Sequence, residues 1–208
     1  MFIELVDHLR CLNPHEDICL VASSEQMVGR DIVTGSLGCP VCEAEYPIRG
    51  GFAHFGDPPD ERASEAVPPS AEQAMRLAAF LDLADPRGFA VLCGNWASHV
   101  RPLQALTQVQ LLLVNPPPGI GLGGGVSALI TAGALPLASG SARAIAFDGT
   151  ATTAFVATGL LALQPRARIL GSSSIPVPDE LTELVRDDHV WVAEKHTDPS
   201  PVVRLTRR

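Results

Sequence analysis

The chain lacks the features that would place it in a membrane, in a secretory route or on nucleic acid. No stretch of its 208 residues reaches the ~18 uninterrupted apolar residues of a membrane-spanning helix. Its start carries Glu4 and Asp7 instead of a basic segment and an apolar run, so we expect no secretory signal. The only group of basic residues is Arg204, Arg207 and Arg208, and the net charge of -8 argues against direct nucleic-acid binding. We therefore expect a cytoplasmic protein.

A disulfide framework is also not indicated. The chain has five cysteines, an odd number, and two of them form the C-x-x-C motif Cys39-Pro40-Val41-Cys42. This usage is typical of metal ligands and buried thiols in a reducing cytosol. What the chain does contain is 46% hydrophobic residues, which is enough for the cores of one ordinary domain and one small domain.

Two pairs of potential metal ligands lie near the start of the chain. Cys11 and His15 form the first pair, Cys39 and Cys42 form the second, and a strand-rich spacer separates them. Thiolates and a neutral imidazole suit a closed structural zinc site, which would stabilise a module too small to bury a good core. We predict such a site from these four residues. Cys19 is an alternative fourth ligand, although its apolar neighbours favour a buried thiol, and a ribbon that has lost its metal is the other reading.

The segments around these ligands have the periodicity of a small β domain. Apolar residues at helical spacing predict a short amphipathic helix over residues 2–9. Aliphatic and β-branched residues predict antiparallel strands over 18–22 and 31–37, and a last strand and turn over 45–51. These elements would place the two ligand pairs on neighbouring turns.

The motifs Leu9-Arg10-Cys11, Cys39-Pro40-Val41-Cys42 and Tyr46-Pro47-Ile48-Arg49-Gly50-Gly51 carry a family resemblance. Together they resemble the small zinc-ribbon family to which the activator subunit of tRNA and protein methyltransferases belongs. The resemblance covers about the first quarter of the chain and implies an adaptor that binds and stabilises a separate methyltransferase subunit. The chain departs from the commonest family pattern at His15, where a cysteine is usual.

Beyond residue 55 the composition changes. Residues 56–69 contain four prolines among acidic residues and predict a linker between a ribbon domain (1–55) and an α/β domain (70–208). Ser70 and Gln73 form a capping-box signature that begins the first helix. The pattern then predicts strands over 89–94, 109–114, 142–147 and 167–170, helices over 98–106, 150–163 and 178–185, and a final hairpin of 190–194 with 202–206.

This order predicts a doubly wound, mostly parallel, Rossmann-like sheet that ends in an antiparallel hairpin. With its Leu135-Pro136 segment before a central strand, it resembles the S-adenosylmethionine-dependent methyltransferase fold. In that family a glycine-rich acidic loop and a strand-end acid hold the cofactor. Here the first loop has only Gly94 followed by bulky Trp96, and the second strand ends in Asn115. We interpret the domain as one that has kept its sheet and lost its cofactor, so S-adenosylmethionine is not expected.

Three further features have competing interpretations. The glycine-rich loop over 119–125 is either a flexible connection or a phosphate cradle at the start of a helix near Val126. Ser98, His99 and Asp148 lie near predicted strand ends, where a nucleophile, base and acid could meet; a surface histidine and a solvated acid are the default. The acidic residues of 179–188 indicate the polar face of a helix, and Trp191 is expected in the core or an interface.

The sequence as a whole predicts a non-catalytic zinc-ribbon scaffold or activator, a pseudoenzyme that binds a protein partner, either a methyltransferase or a second copy of itself. No catalytic residue is assigned. The alternative is a divergent methyltransferase with a fused activator ribbon that binds S-adenosylmethionine through Gly94, Asn95 and Asn115. A third reading is a small-molecule binding module that uses the loop over 119–125.

Overall fold

The computed structural model describes residues 1–56 and 68–196. Strands β1 to β11 span, in order, Val21–Val28, Asp31–Gly38, Glu45–Arg49, Phe52–Phe55, Phe89–Cys93, Gln110–Val114, Val126–Thr131, Ala142–Phe147, Leu163–Ser172, Leu181–Arg186 and Val190–Lys195. Helices α1 to α3 span Ala71–Phe80, Val100–Leu106 and Thr153–Ala162. Two 3-10 helices span Ile3–His8 and Gly94–His99.

All eleven described strands belong to one sheet, in the order β1-β2-β3-β4-β7-β6-β5-β8-β9-β11-β10. The six central strands, from β4 to β9 in this order, run parallel to one another. Strands β1 to β4 form an antiparallel meander at one end, and β11 and β10 form an antiparallel hairpin at the other. The predicted α/β class, with a parallel sheet that ends in a hairpin, is confirmed in outline.

The meander is joined directly to the parallel sheet. Strand β4 pairs with β7 from Phe52 opposite Ala128 to Phe55 opposite Thr131. The segment before β1 also binds across this junction, because Arg10 N–H donates to the Pro136 carbonyl at 2.9 Å. The zinc-ribbon domain over 1–55 stays a prediction, and most of the predicted linker, residues 57–67, lies outside the described residues.

Two predicted helices are strands. The acidic segment predicted as a helix over 178–185 forms the edge strand β10, which pairs with β11 from Leu181 opposite Lys195 to Arg186 opposite Trp191. Its charged side chains lie on an exposed strand instead of a helix face, because pairing with a buried neighbour outweighs local propensity. The predicted partner of β11, residues 202–206, lies outside the described residues.

The second correction concerns the segment after the glycine-rich loop. The phosphate-cradle alternative requires a helix that starts near Val126, but Val126–Thr131 is strand β7, buried along its whole length between β4 and β6. A continuous short apolar run rich in β-branched residues is typical of such a strand. The loop over 119–125 therefore leads into a strand and offers no helix N-terminus to a phosphate.

The helices cover both faces of the sheet, and α1 begins where the sequence predicts. The Ser70 hydroxyl caps α1 by accepting from Gln73 N–H at 3.1 Å. Helices α1 and α2 pack on one face through Leu77 and Leu103, while α3 packs on the other through Phe155 and Val156. Trp191 lies fully buried on the α3 face, as expected of a core residue.

The short helix predicted over 2–9 is the 3-10 helix Ile3–His8 and not an α-helix, with Leu5 and Val6 buried. The predicted helix over 98–106 likewise starts as the 3-10 helix Gly94–His99 before it continues as α2. Among the described residues, no helix combines the length and hydrophobicity that a membrane crossing needs.

Candidate functional sites

The structure brings the four predicted ligands together. One ligand atom from each of Cys11, His15, Cys39 and Cys42 lies within 4.8 Å of all the others. The Cys11 and Cys42 sulfurs are 3.5 Å apart, and the Cys39 sulfur is 3.2 Å from His15 Nε2. Ligands on one tetrahedral zinc ion lie about 3.3–3.8 Å apart, given the usual zinc bond lengths. The donor set and its spacing therefore fit a metal ion of this kind.

Local hydrogen bonds prepare the histidine to bind a metal. His15 Nδ1 lies 2.7 Å from the Glu16 carbonyl, which fixes the proton on Nδ1 and leaves the Nε2 lone pair facing Cys39. This contact also raises the pKa of His15. A carbonyl behind the imidazole is the usual partner of a metal-bound histidine, because it fixes the tautomer and the ring orientation.

The sulfurs have hydrogen-bond donors of their own. The Ala44 N–H, with help from the Asn13 side-chain amide at 3.3 Å, lowers the pKa of Cys42 to about 6. Asn13 N–H lies 3.4 Å from the Cys11 sulfur, and the Tyr46 hydroxyl lies 3.1 Å from that sulfur. Donors of this kind stabilise thiolates, which are the form that binds a metal.

Each ligand pair is held by a separate piece of backbone. Cys39 follows β2 directly, and its turn is closed by Cys39 N–H to the Ala44 carbonyl at 2.9 Å and Glu43 N–H to the Cys39 carbonyl at 3.0 Å. Cys11 follows a segment in which Leu9 bridges to Leu137. The alternative ligand Cys19 is outside the cluster and exposed, so the expectation that it is a buried thiol is wrong.

A second candidate site is a cavity of about 360 Å³ at the carboxyl ends of β5, β8 and β9. Leu77 and Phe80 of α1, together with Trp96, form much of its wall. The ion pair between Arg76 and Asp187 also lies along it. Parallel sheets place ligands at this edge, next to the point where the chain changes direction across the sheet.

The loop after β5 is hydrogen-bonded to Asp148, the residue that follows β8. Asp148 is only 8% exposed, and its carboxylate accepts from Asn95 N–H at 2.8 Å and from the Thr150 hydroxyl at 2.6 Å. Gly94 has a positive φ of 55°, and a Cβ there would overlap the Asp148 carboxylate. Only glycine permits this close approach. The expectation of a solvated strand-end acid is therefore wrong for Asp148.

Asn115, which the alternative interpretation assigns to cofactor binding, is hydrogen-bonded to a neighbouring strand through its side-chain amide. Its side-chain amide donates to the Thr131 carbonyl at 2.8 Å, and its Oδ1 accepts from Thr131 N–H at 2.9 Å. The side chain thus joins the ends of β6 and β7 as an extra rung of the sheet.

Trp96, two residues after Gly94, donates its indole N–H to the Phe147 carbonyl at 3.1 Å.

Four side-chain atoms of the 3-10 helix Gly94–His99 have almost no accessible surface and no partner of normal hydrogen-bond geometry among the described residues, although the Trp96 backbone interacts with His99. These groups are Asn95 Oδ1, Ser98 Oγ and both ring nitrogens of His99. His99 is 5% exposed, so the expectation of a surface histidine is also wrong. Asn95, His99 and Asp148 line the cavity. The sequence signal for this site was weak, since it consisted only of polar residues that follow two apolar strands.

No family model matches the chain, and no curated protein matches its sequence. Solved structures do resemble it. A protein of Corynebacterium glutamicum aligns with a TM-score of 0.45 and 11% identity over 64% of this chain and 84% of the other. A methyltransferase of Geobacter sulfurreducens gives 0.42 and 8%, over 64% and 81%, and a putative methyltransferase of Escherichia coli gives 0.39 and 12%, over 66% and 92%. At such scores these similarities assign neither a family nor an activity.

Proposed function

We propose that this protein is a non-catalytic scaffold or activator whose partner-binding end is held in shape by a zinc ion. The observation that carries the proposal is the set of four ligand atoms within 4.8 Å, with three sulfurs and one imidazole. A closed set of four protein ligands leaves no open position for a substrate or water, which is the mark of a structural zinc site. Zinc would therefore stabilise the turns and leave the chemistry to a partner.

Exposed apolar side chains around the metal centre support a partner surface. Leu12 follows the ligand Cys11, and Val41 lies between the ligands Cys39 and Cys42; both side chains are exposed. Val21 on the edge strand β1 lies opposite Gly38, the residue before Cys39, and its side chain is 62% exposed. Apolar groups gathered at one end of a molecule are a usual feature of protein-binding surfaces. A methyltransferase subunit and a second copy of the chain are the partners we propose.

Elemental analysis of the purified protein tests the metal. We expect about one zinc ion per chain in the wild type and in a Cys19→Ser control, because Cys19 is not part of the ligand set. Cys39→Ser should lose most of the zinc. Full zinc content in Cys39→Ser, or loss of zinc in Cys19→Ser, would contradict the assignment.

Purification of a tagged chain from its own cells tests the partner surface. A partner that binds here should be retained by the wild type and by Met75→Lys, which changes an exposed residue of α1, and lost by Val21→Lys. Sedimentation of the purified chain then shows whether the partner is a second copy. Equal retention by both lysine variants would place the interface elsewhere.

The alternative, a divergent methyltransferase, is favoured by one observation, the cavity at the carboxyl ends of β5 and β8. The proposed route through Asn115 is disfavoured, because both atoms of its amide already bind Thr131. Calorimetric titration with S-adenosylmethionine and S-adenosylhomocysteine separates the two functions. Micromolar binding would overturn the scaffold proposal and direct attention to a methyl acceptor, and absence of binding would remove the alternative.

A further inference from the structure

We propose that Tyr46 is a positioning residue that couples the zinc ion to the partner surface, because its hydroxyl holds both the ligand Cys11 and the exposed residue Leu12. The inference rests on the proposed function, since it assigns a role beside the zinc centre described there. It goes further in naming a side chain that binds no metal itself and through which metal binding sets the position of a partner-binding residue.

The hydroxyl of Tyr46 has two neighbours that use its different hydrogen-bonding capacities. Leu12 N–H donates to the hydroxyl oxygen at 3.2 Å, and the Cys11 sulfur lies 3.1 Å from the same oxygen. A hydroxyl has one hydrogen to donate, whereas a metal-bound thiolate carries no hydrogen and can only accept. With zinc bound, the Tyr46 hydroxyl therefore donates to Cys11 while it accepts from Leu12. A hydrogen bond to a charged sulfur is stronger than one to a neutral thiol, so zinc strengthens this contact.

The ring of Tyr46 is fixed by the sheet and not by the ligand turns. Tyr46 lies in β3 and is 9% exposed. Its ring stacks on Phe55 of β4, with the centroids 4.4 Å apart and an angle of 28° between the planes. Phe55 in turn lies opposite Thr131 of β7, within the parallel part of the sheet. The hydroxyl is thus a fixed point, and the ligand segment is placed relative to it.

Leu12 depends on this fixed point for the direction of its backbone. The next amide, Asn13 N–H, lies 3.4 Å from the Cys11 sulfur, so the peptide groups on the two sides of Leu12 are directed at the hydroxyl and at the sulfur. The Leu12 side chain is 36% exposed and forms part of the apolar surface assigned to the partner. Loss of the hydroxyl would free one of these peptide groups and let Leu12 move on that surface. A tyrosine that only fills space would not have this effect.

Tyr46→Phe keeps the stacked ring and removes the hydroxyl, so it separates the two roles. Competition with a chromogenic chelator measures zinc affinity, and we expect ~10-fold weaker binding, as is usual when a hydrogen-bond partner of a metal ligand is removed. Replacement of zinc by cobalt(II) should also show a shifted thiolate-to-metal absorption band, which responds to the hydrogen bond at Cys11 and not to packing. Thr34→Val, which removes a hydroxyl from β2 outside the ligand set, is the matched control and should change neither quantity.

The second readout is hydrogen exchange at the Leu12 amide in the zinc-loaded proteins. In the ¹H–¹⁵N spectrum this amide should exchange at least ~5-fold faster in Tyr46→Phe than in the wild type, as expected for the loss of one hydrogen bond. The Glu43 amide, which donates to the Cys39 carbonyl in the other ligand turn, should keep its rate.

The outcomes distinguish this inference from the proposed function. Unchanged zinc affinity or an unchanged Leu12 exchange rate in Tyr46→Phe, with about one zinc ion per chain in the wild type, would overturn the coupling and leave the zinc centre in place. A wild type without zinc would overturn both. Equal losses in Thr34→Val would also overturn the coupling, because the effect would then come from the meander as a whole and not from the contact with Cys11.

Discussion

The metal centre and the strand-end cavity differ in how their polar groups are hydrogen-bonded. At the metal centre, every ligand has a hydrogen-bond partner near it: His15 Nδ1–H donates to the Glu16 carbonyl, the Asn13 N–H and side-chain amide donate to the sulfurs of Cys11 and Cys42, and Cys39 lies beside His15. At the cavity, Asn95 Oδ1 and the His99 imidazole have no partner of normal hydrogen-bond geometry within the described residues. The first site is organised so that one ion completes it, and the second keeps polar atoms buried without such completion. This difference predicts that loss of a metal ligand destabilises the protein, whereas replacement of the His99 imidazole by an apolar side chain does not.

The largest effect is expected from the metal. Removing zinc with a chelator, or replacing Cys39 by Ser, should unfold the turns at Cys11–His15 and Cys39–Cys42, because zinc binding is coupled to the folding of such modules. Hydrogen exchange measured by mass spectrometry should then show lost protection in β1, β2 and β3, while β5 and β6 stay protected. If protection were lost uniformly across the sheet, or not lost at all, the prediction that zinc selectively stabilises β1, β2 and β3 would be wrong.

The second largest loss of stability is expected at Gly94, which lets the loop after β5 lie against Asp148. Gly94→Ala should destabilise the protein by about 2–4 kcal/mol, because its Cβ would overlap the Asp148 carboxylate and its φ is positive. Urea unfolding measures this change. The matched control is Gly123→Ala, whose Cβ would have no atom within 4 Å, so it should change stability by less than about 0.5 kcal/mol. Similar losses in the two variants would show that the Gly94–Asp148 contact is unimportant.

A smaller effect should come from the side chain that joins β6 to β7. Asn115→Gly keeps the positive φ of 50° but removes both hydrogen bonds to Thr131, so we expect a loss of about 1–2 kcal/mol in urea unfolding. Asn115→Ala should lose somewhat more, because alanine is strained at positive φ. A glycine variant as stable as the wild type would mean that the amide bridge does not hold the strands.

The smallest effect is a pH dependence. Burial lowers the pKa of His99, so the unfolded chain takes up a proton at this residue before the folded chain does. The wild type should therefore lose stability relative to His99→Leu as the pH falls below about 6.5. Urea unfolding of both proteins between pH 7.5 and 5.5 measures the difference in their free energies of unfolding. Titration of the metal ligands affects both proteins equally and therefore cancels in this difference. Parallel curves would show that His99 is not held neutral.

The sequence predicts the metal centre far better than the cavity, for a physical reason. Cys39 and Cys42 lie on one turn, and Cys11 and His15 lie close together in the chain, so their spacing carries the information. The cavity joins residues from α1, the loop after β5, and the ends of β8 and β9, which only the sheet order brings together. That His99 and Asp148 would line one cavity could not be read from their neighbours in sequence.

The errors in secondary structure have the same origin. The acidic residues spread over 179–188 suggest the polar face of a helix, but β11 offers residues 181–186 a buried neighbour with which to pair. Val126–Thr131 follows a glycine-rich loop that suggested a helix start, yet it fits between β4 and β6. Strand pairing is decided by distant residues, whereas the Ser70 cap of α1 depends only on Gln73 and was predicted correctly.

The parallel pairing of β4 with β7 makes the two parts of the chain depend on each other. If the protein were cut between residues 56 and 68, each fragment would present an unsatisfied strand edge, one along Phe52–Phe55 and the other along Val126–Thr131. Such edges recruit other strands, so each fragment alone should aggregate. Mixed together, the fragments carry complementary edges and should recover one folded molecule. The protein is thus a natural candidate for a split reporter that reassembles through the pairing of β4 with β7.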